Sequence, residues 1–302
     1  MLDVRKLRVL RELSARGTIA ATAKALSFTP SAISQQLSAL ERETGVELLA
    51  REGRRLTLTE PGRRLVARTD EVLAALEAAE ADLEASVGEV RGTVTVAAFP
   101  TAAAVLVAPV VKALGQRHPT LTVRVEELEP HESLPALRLG EVDLAVVHDY
   151  DTIPRTHDPA FTEHPLMRDP LRIAFAAADP RAHESDVDVA DLADDPWIAG
   201  RPGTACGTVV TTAGRAAGFE PRIVAHASEF ATMLALVAAG LGVAMVPGLA
   251  TTAGAAPGVV LVDSRPALGR RIFAAVRPGS GRRAAVAAVL AALTARAAEL
   301  GS

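Results

Sequence analysis

Ser31, Ser34, Gln35, Ser38 and Arg42 fall at helical spacings, so a helix beginning at Pro30 would present all five from one side. Only Arg42 is charged. Short hydroxyls and an amide suit hydrogen bonds to base edges and phosphate oxygens, and a glutamine side chain matches adenine in the major groove of duplex DNA. A surface helix that needed only solubility would more usually carry Glu and Lys there. Thr29, before that helix, is placed to approach the sugar-phosphate backbone, and Pro30 at its first position belongs to the same candidate set. Further on, Arg51-Glu52-Gly53-Arg54-Arg55 sets Arg54 and Arg55 at a glycine-containing turn, where guanidinium groups meet phosphates or a minor groove.

A second set of polar groups lies at the ends of apolar runs. Phe99-Pro100-Thr101, Gly203-Thr204 and Ser228-Glu229-Phe230 each precede a helical segment, and His131 and His148 follow strand-like runs. Free N–H groups at helix starts attract polar or anionic ligands, and Thr101 facing Thr204 would hydrogen-bond a carboxylate or a similar small molecule. Glu229 leaves the charge of that ligand open. Each threonine has an equally good use as a plain helix cap. Catalysis and metal binding find no support. The 7 histidines have no metal-ligand spacing, Cys206 has no second thiol, and His148-Asp149 and His157-Asp158 adjoin no nucleophile motif. Gly203-Thr204-Ala205-Cys206-Gly207 lacks the lysine of a phosphate-binding loop. No enzyme, no metal and no cofactor is expected.

Positioning the first set takes a small helical unit. Thr18 can cap a helix over residues 19–26, whose alanines admit a close neighbour. Ser27-Phe28-Thr29 makes a turn, and Thr29 caps the next helix with Pro30 at its first position. Phe28 and Ile33 have the spacing of a hydrophobic staple, and Ile33, Leu37 and Leu40 form the buried side. The alternation Leu56-Thr57-Leu58-Thr59 supplies a wing. Residues 1–68 hold 13 Lys and Arg against 7 Asp and Glu, a net of +6, and because the whole chain has 32 against 36 the remainder carries −10. A polyanion should therefore meet only the head.

After the wing, Leu65, Thr69, Val72, Leu76, Ala79, Leu83, Ser86 and Val90 alternate steps of four and three, a heptad seam on one long helix. Beyond Arg91-Gly92, apolar strands alternate with helices to the end, a doubly wound α/β pattern with room for two lobes. With 3% aromatic residues, their core must be built from Ala, Val and Leu. The first ten residues lack the apolar segment of a signal peptide, and the apolar stretch 231–250 is broken by Gly240, Gly242, Pro247 and Gly248. A soluble, cytoplasmic chain without a membrane partner is expected.

The run from Ala20 to Arg51, with Ala-Lys-Ala-Leu-Ser-Phe-Thr-Pro-Ser-Ala-Ile-Ser-Gln-Gln-Leu at its centre, resembles the N-terminal domain of LysR-type transcriptional regulators. Helix, turn, helix and wing match in order and spacing. Thr29 stands where that family most often has Gln, and Leu49-Ala50 where it has Phe-Glu. Asp143-Leu144-Ala145-Val146-Val147 and the stretch from Val237 to Pro247 are similar to two further signatures of the family. The resemblance implies a winged helix-turn-helix over 1–60, a dimerising linker helix over 61–91, and a bilobed effector domain over 92–302. Lobe I would take about 92–163 and 268–302, lobe II about 164–267, with crossovers near His164-Pro165 and Arg265-Pro266. It also implies double-stranded DNA and a small-molecule effector as partners, and a homodimer that commonly pairs again into a tetramer. Two other readings stay open. One is a ligand-independent architectural DNA-binding protein. The other is a thiol-responsive regulator, since Cys206 lies where thiol-based members of the family sense peroxide, though those use a pair of thiols.

Overall fold

The computed structural model describes residues 2–52, 55–85, 90–153, 158–252 and 256–301. It opens on three helices, α1 (Val4–Arg16), α2 (Ile19–Ala25) and α3 (Pro30–Thr44). Side-chain caps fix their starts. Asp3 accepts from the Arg5 N–H (2.8 Å), Thr18 from Ala21 (3.2 Å) and Thr29 from Ala32 (3.2 Å). Gly17 and Gly45 end α1 and α3 in the left-handed region, at φ 72° and 67°, where glycine avoids a Cβ clash. Leu10, Ile33 and Leu40 are fully buried between the helices, each contributing roughly 1.5–3 kcal/mol. Phe28, by contrast, is 50% exposed, so the staple expected from its spacing does not cover Ile33. The core of α1, α3 and Leu48 covers it instead.

The wing is an antiparallel pair, β1 (Leu49–Glu52) and β2 (Arg55–Leu58), with Leu49 opposite Leu58. Gly53 and Arg54 lie outside the described residues, as do Ser86 and His157. α4 (Glu60–Ala85) follows directly and is seated on the wing. Thr59 Oγ1 accepts from Gly62 N–H at 3.1 Å, and a Cβ on Gly62 would lie 2.2 Å from the Leu48 carbonyl oxygen. The heptad seam on α4 divides. Leu65 and Thr69 turn toward the chain's own core, whereas Val72, Leu76 and Leu83 are exposed at 41%, 44% and 71%. The head's core takes in only Leu65 and Val66 from the start of α4, and beyond Thr69 the seam runs on into solvent.

The body begins with β3 (Gly92–Ala98) and a helical stretch of α5 (Pro100–Ala102), a π-helical segment (Ala103–Val107) and α6 (Ala108–Arg117). Then come β4 (Leu121–Glu127), α7 (Pro130–Leu139), β5 (Leu144–Tyr150) and β6 (Thr162–Ala176). After β6 follow β7 (Asp186–Asp188), β8 (Pro196–Ala199), α8 (Ala205–Ala216), β9 (Arg222–His226), α9 (Phe230–Ala238) and β10 (Val243–Pro247). β11 (Val259–Arg265), β12 (Gly269–Val276) and α10 (Ala284–Leu300) complete it. Strand order β4-β3-β5-β12-β6-β10-β8-β9, with β11 and β7 beside β6, makes two lobes that share β6. Residues 162–170 of β6 pair with β12, and residues 171–176 with β10 and β11. The chain thus changes lobes at Pro170–Leu171 and not at His164-Pro165, through which the strand runs unbroken. Proline there costs no break because β6 lies beside β12 in a register that shifts between Ile272 and Phe273, leaving a bulge next to Pro165.

Apolar side chains fill both faces of each lobe's sheet, Val96, Leu106 and Leu293 on one side of the first lobe and Leu137, Val147 and Phe273 on the other. Head and body are also joined. Arg11 donates to the Leu139 carbonyl (3.2 Å), and Arg138 bridges Asp70 of α4 (3.4 Å) and Asp158. Arg277 holds Glu77 (2.8 Å) and the carbonyls of Leu137 and Val142. A Cβ on Gly279 would come within 2.6 Å of the Ala74 carbonyl, so the body lies directly against α4. Among the described residues no helix is long and apolar enough to cross a membrane.

Candidate functional site

α3 carries the first set of residues on its outer side. Thr29, Pro30, Ser31, Gln35, Ser38 and Arg42 are exposed, Ser34 is half-buried, and Ile33, Leu37 and Leu40 face the core. Ser31 Oγ pairs with Thr29 Oγ1 at 3.0 Å, and Ser34 donates to the Pro30 carbonyl at 3.0 Å. These local bonds leave Gln35 and Ser38 as the side chains that stand freest of the helix's own backbone. Arg55 starts the second wing strand. The arrangement is a polar ridge on a small helical unit, able to enter a groove.

The second set gathers in the cleft between the lobes. A cavity of about 310 Å³ is lined by Phe99, Pro100 and Thr101 from the end of β3 and start of α5, His148 and Tyr150 of β5, Phe230 of α9, and Arg270 of β12. Cys206, Glu129, Glu229 and Leu249 also line it. Thr204 lies in an adjoining cavity with Glu127, Glu129 and Glu132. Its hydroxyl donates to the Arg201 carbonyl (2.7 Å) and accepts from Gly207 N–H (3.0 Å), so Thr204 is spent as the cap of α8. Thr101 and Thr204 therefore do not form one ligand clamp. His131 is exposed on α7, and neither it nor Gly203 lines either cavity. Gly203 serves the turn before α8, at φ 83°.

The strongest electrostatic feature of the cleft is a pair that no sequence motif marks. Arg270 and Asp169 are 2% and 1% exposed at their side chains, with Arg270 Nη2 2.8 Å and Nε 2.9 Å from Asp169 Oδ2. Arg270 also donates to Thr101 Oγ1 (3.0 Å) and stacks 4.8 Å over the Phe99 ring. Asp169 Oδ1 accepts from the Leu249 N–H at 3.0 Å. One sequence signal would have found Arg270: Arg270, Ile272, Ala274 and Val276 alternate along β12, so the strand's period of two puts the arginine on the buried face.

The titratable groups of the cleft are tuned mainly by burial. Desolvation holds the His148 imidazole below its ordinary range, with Arg270 adding to that and Glu129 opposing it. The same loss of water raises the Tyr150 hydroxyl above the usual phenol range and pushes the Cys206 thiol up to about 11. Among the described residues no group of three or more His, Cys, Asp and Glu could hold a metal ion.

Against known proteins, residues 4–63 match the family of bacterial regulatory helix-turn-helix proteins, lysR family, and residues 88–298 match the LysR substrate binding domain. A probable hydrogen peroxide-inducible genes activator of Mycobacterium leprae is 31% identical, over 92% of this chain and 89% of that protein. The transcriptional dual regulator GltC of Bacillus subtilis is 27% identical, covering 82% of this chain and 81% of its own. In fold, a full-length OxyR of Pseudomonas aeruginosa superposes with a TM-score of 0.69 over 97% of this chain and 95% of that one, at 23% identity.

Proposed function

Because the chain belongs to the LysR family of DNA-binding transcriptional regulators with an effector-binding domain, we propose that it reads an inverted-repeat operator as a homodimer, or a tetramer of two such dimers, and responds to a small molecule held in its interlobe cleft. It acts in the cytoplasm, where it meets double-stranded DNA. Residues 1–60 dock on the duplex, 61–91 pair two copies, and 92–302 sense the effector. The observation that carries this reading is the polar side of α3, charged only at Arg42, on a head of net +6, tied to a body that holds a cavity. Thr29, Pro30, Ser31, Ser34, Gln35, Ser38, Arg42, Arg54 and Arg55 form the DNA-facing set, with Gln35 and Ser38 nearest the bases. The effector shifts an equilibrium between two arrangements of the dimer, and it can do so only by binding one of them more tightly.

Competition binding against randomised duplexes tests it. Gln35→Ala should cost about 1–3 kcal/mol and relax the preference at one base per half-site. Arg54→Ala should weaken binding to every duplex alike and flatten the slope of log K against log salt by about one. Selected sequences and salt slopes unchanged by both substitutions would remove α3 and the wing from the interface.

A thiol response through Cys206 is the second reading, favoured by the position of the thiol on the cleft wall and by relatives named for hydrogen peroxide. The chemistry at this site opposes it. The thiolate is the nucleophile, and a thiol raised to about 11 is ionised to roughly one part in ten thousand at pH 7. There is also no second cysteine in the chain to close a disulfide. Sulfenylation of Cys206 by peroxide should therefore be slow at pH 7 and rise about tenfold per pH unit up to about 11. Dimedone trapping followed by mass spectrometry measures this, and a fast, pH-independent reaction near neutrality would restore the thiol reading.

A further inference from the structure

We infer that the effector of this chain is a small amphipathic cation, an amine or amidine on an apolar or aromatic body. The inference rests on the interlobe cleft being the effector site, as proposed above. A cleft that takes an anion draws on arginines and on free helix N-termini. Here the arginine is already committed, and two of the helix starts at the cleft carry the chain's own carboxylates. Arg270 is the one cationic side chain lining the main cavity among the described residues, and its guanidinium is matched by the equally buried Asp169, with a further bond to Thr101. The positive ends of α7 and α9 are met by the chain's own carboxylates. Glu129 stands at the N-cap of α7 and forms a capping box with Glu132, and Glu229 stands at the N-cap of α9.

The walls carry more carboxylates than cationic side chains. Glu129 and Glu229 line both cavities, and Glu127 and Glu132 join them in the second, where Arg201 is the only cation among the described residues. The remaining wall suits an apolar or aromatic body, with Phe99, Tyr150, Phe230 and Leu249 around the cavity. Aromatic faces beside carboxylates are a setting in which ammonium groups bind. His148, 7% exposed, belongs to the same wall, with its Nε2 3.8 Å from the Glu129 carboxylate.

Three probes of one shape and different charge test the assignment on the full-length protein: benzylamine, benzyl alcohol and benzoate, titrated calorimetrically at pH 7 and low salt. Benzylamine should bind at least tenfold more tightly than benzyl alcohol, and benzoate more weakly than either. Added salt should narrow the gap. Glu229 is exposed, so Glu229→Gln should leave the thermal midpoint in place while reducing the preference for benzylamine at least fivefold. Benzoate binding as tightly as benzylamine, a preference untouched by Glu229→Gln, or no binding of any probe at millimolar concentration would overturn the assignment. Retention of genomic DNA fragments by the same preparation separates the two levels. A protein that holds DNA yet prefers benzoate loses only the ligand class, whereas one that ignores DNA loses the regulatory reading itself.

Discussion

Asp169→Ala is expected to lower the stability of the body by about 3–5 kcal/mol, because it leaves a buried guanidinium without its counter-ion. The Arg270 side chain is 2% exposed and stacks on the Phe99 ring. The same substitution strands the Leu249 N–H, which donates to Asp169 Oδ1 at 3.0 Å. Two to four degrees per kcal/mol is usual for a unit of this size, so the melting midpoint should fall by about 6–20 °C. Arg270→Met alone should be costly too, since it leaves the Asp169 carboxylate buried and unpaired. The double variant Asp169→Leu with Arg270→Met should recover much of the loss, because apolar residues of similar volume often replace a buried pair at little cost. Thermal unfolding followed by circular dichroism measures all three. A single-variant loss below about 1 kcal/mol, or a double variant no better than the singles, would show that the pair is not the strut between β6 and β12.

That strut also marks the boundary of what was legible in the sequence. The head was readable because its signals are local: Thr18 and Thr29 each cap the helix that starts beside them, and Ile33, Leu37 and Leu40 repeat on one side. The alternation of β12 is local as well, and so is the run Val243–Pro247. α7 escaped notice because Pro130 and Pro135 lie within Pro130–Leu139, and only packing of Ala136, Leu137 and Leu139 shows that a helix tolerates both. The site was harder. Thr101, His148 and Phe230 were visible as residues at strand or helix ends, and the fold brings them to one cavity. Thr204 looked the same in sequence, but its hydroxyl is consumed by Arg201 and Gly207. The partnership of Asp169 with Arg270 spans 101 residues and has no sequence signature at all. What is decided by long-range pairing, including the lobe change at Pro170–Leu171, has to be read from coordinates.

Introducing Glu at both Leu76 and Leu83 should convert the protein to a monomer and weaken operator binding about 10²–10⁴-fold, the gain that tethering two modest binding modules supplies. The argument is one of faces. Leu76 and Leu83 are 44% and 71% exposed in the single chain, while Ala81, on the far side of α4 from Leu76, is fully buried. Charges at the outer positions therefore cost the folded monomer little, but in a paired helix they would place four carboxylates in an apolar seam. The same change at Ala81 would act differently. Ala81 is 0% exposed, so Ala81→Glu should instead lower the melting midpoint and loosen the head from the body. Sedimentation equilibrium, thermal unfolding and fluorescence anisotropy on a two-half-site duplex separate these outcomes. On a single half-site, where one head suffices, the Leu76→Glu, Leu83→Glu variant should bind as the unmodified protein does. A variant that remains dimeric, or that loses half-site and full-site affinity equally, would mean that α4 positions a head without pairing two of them.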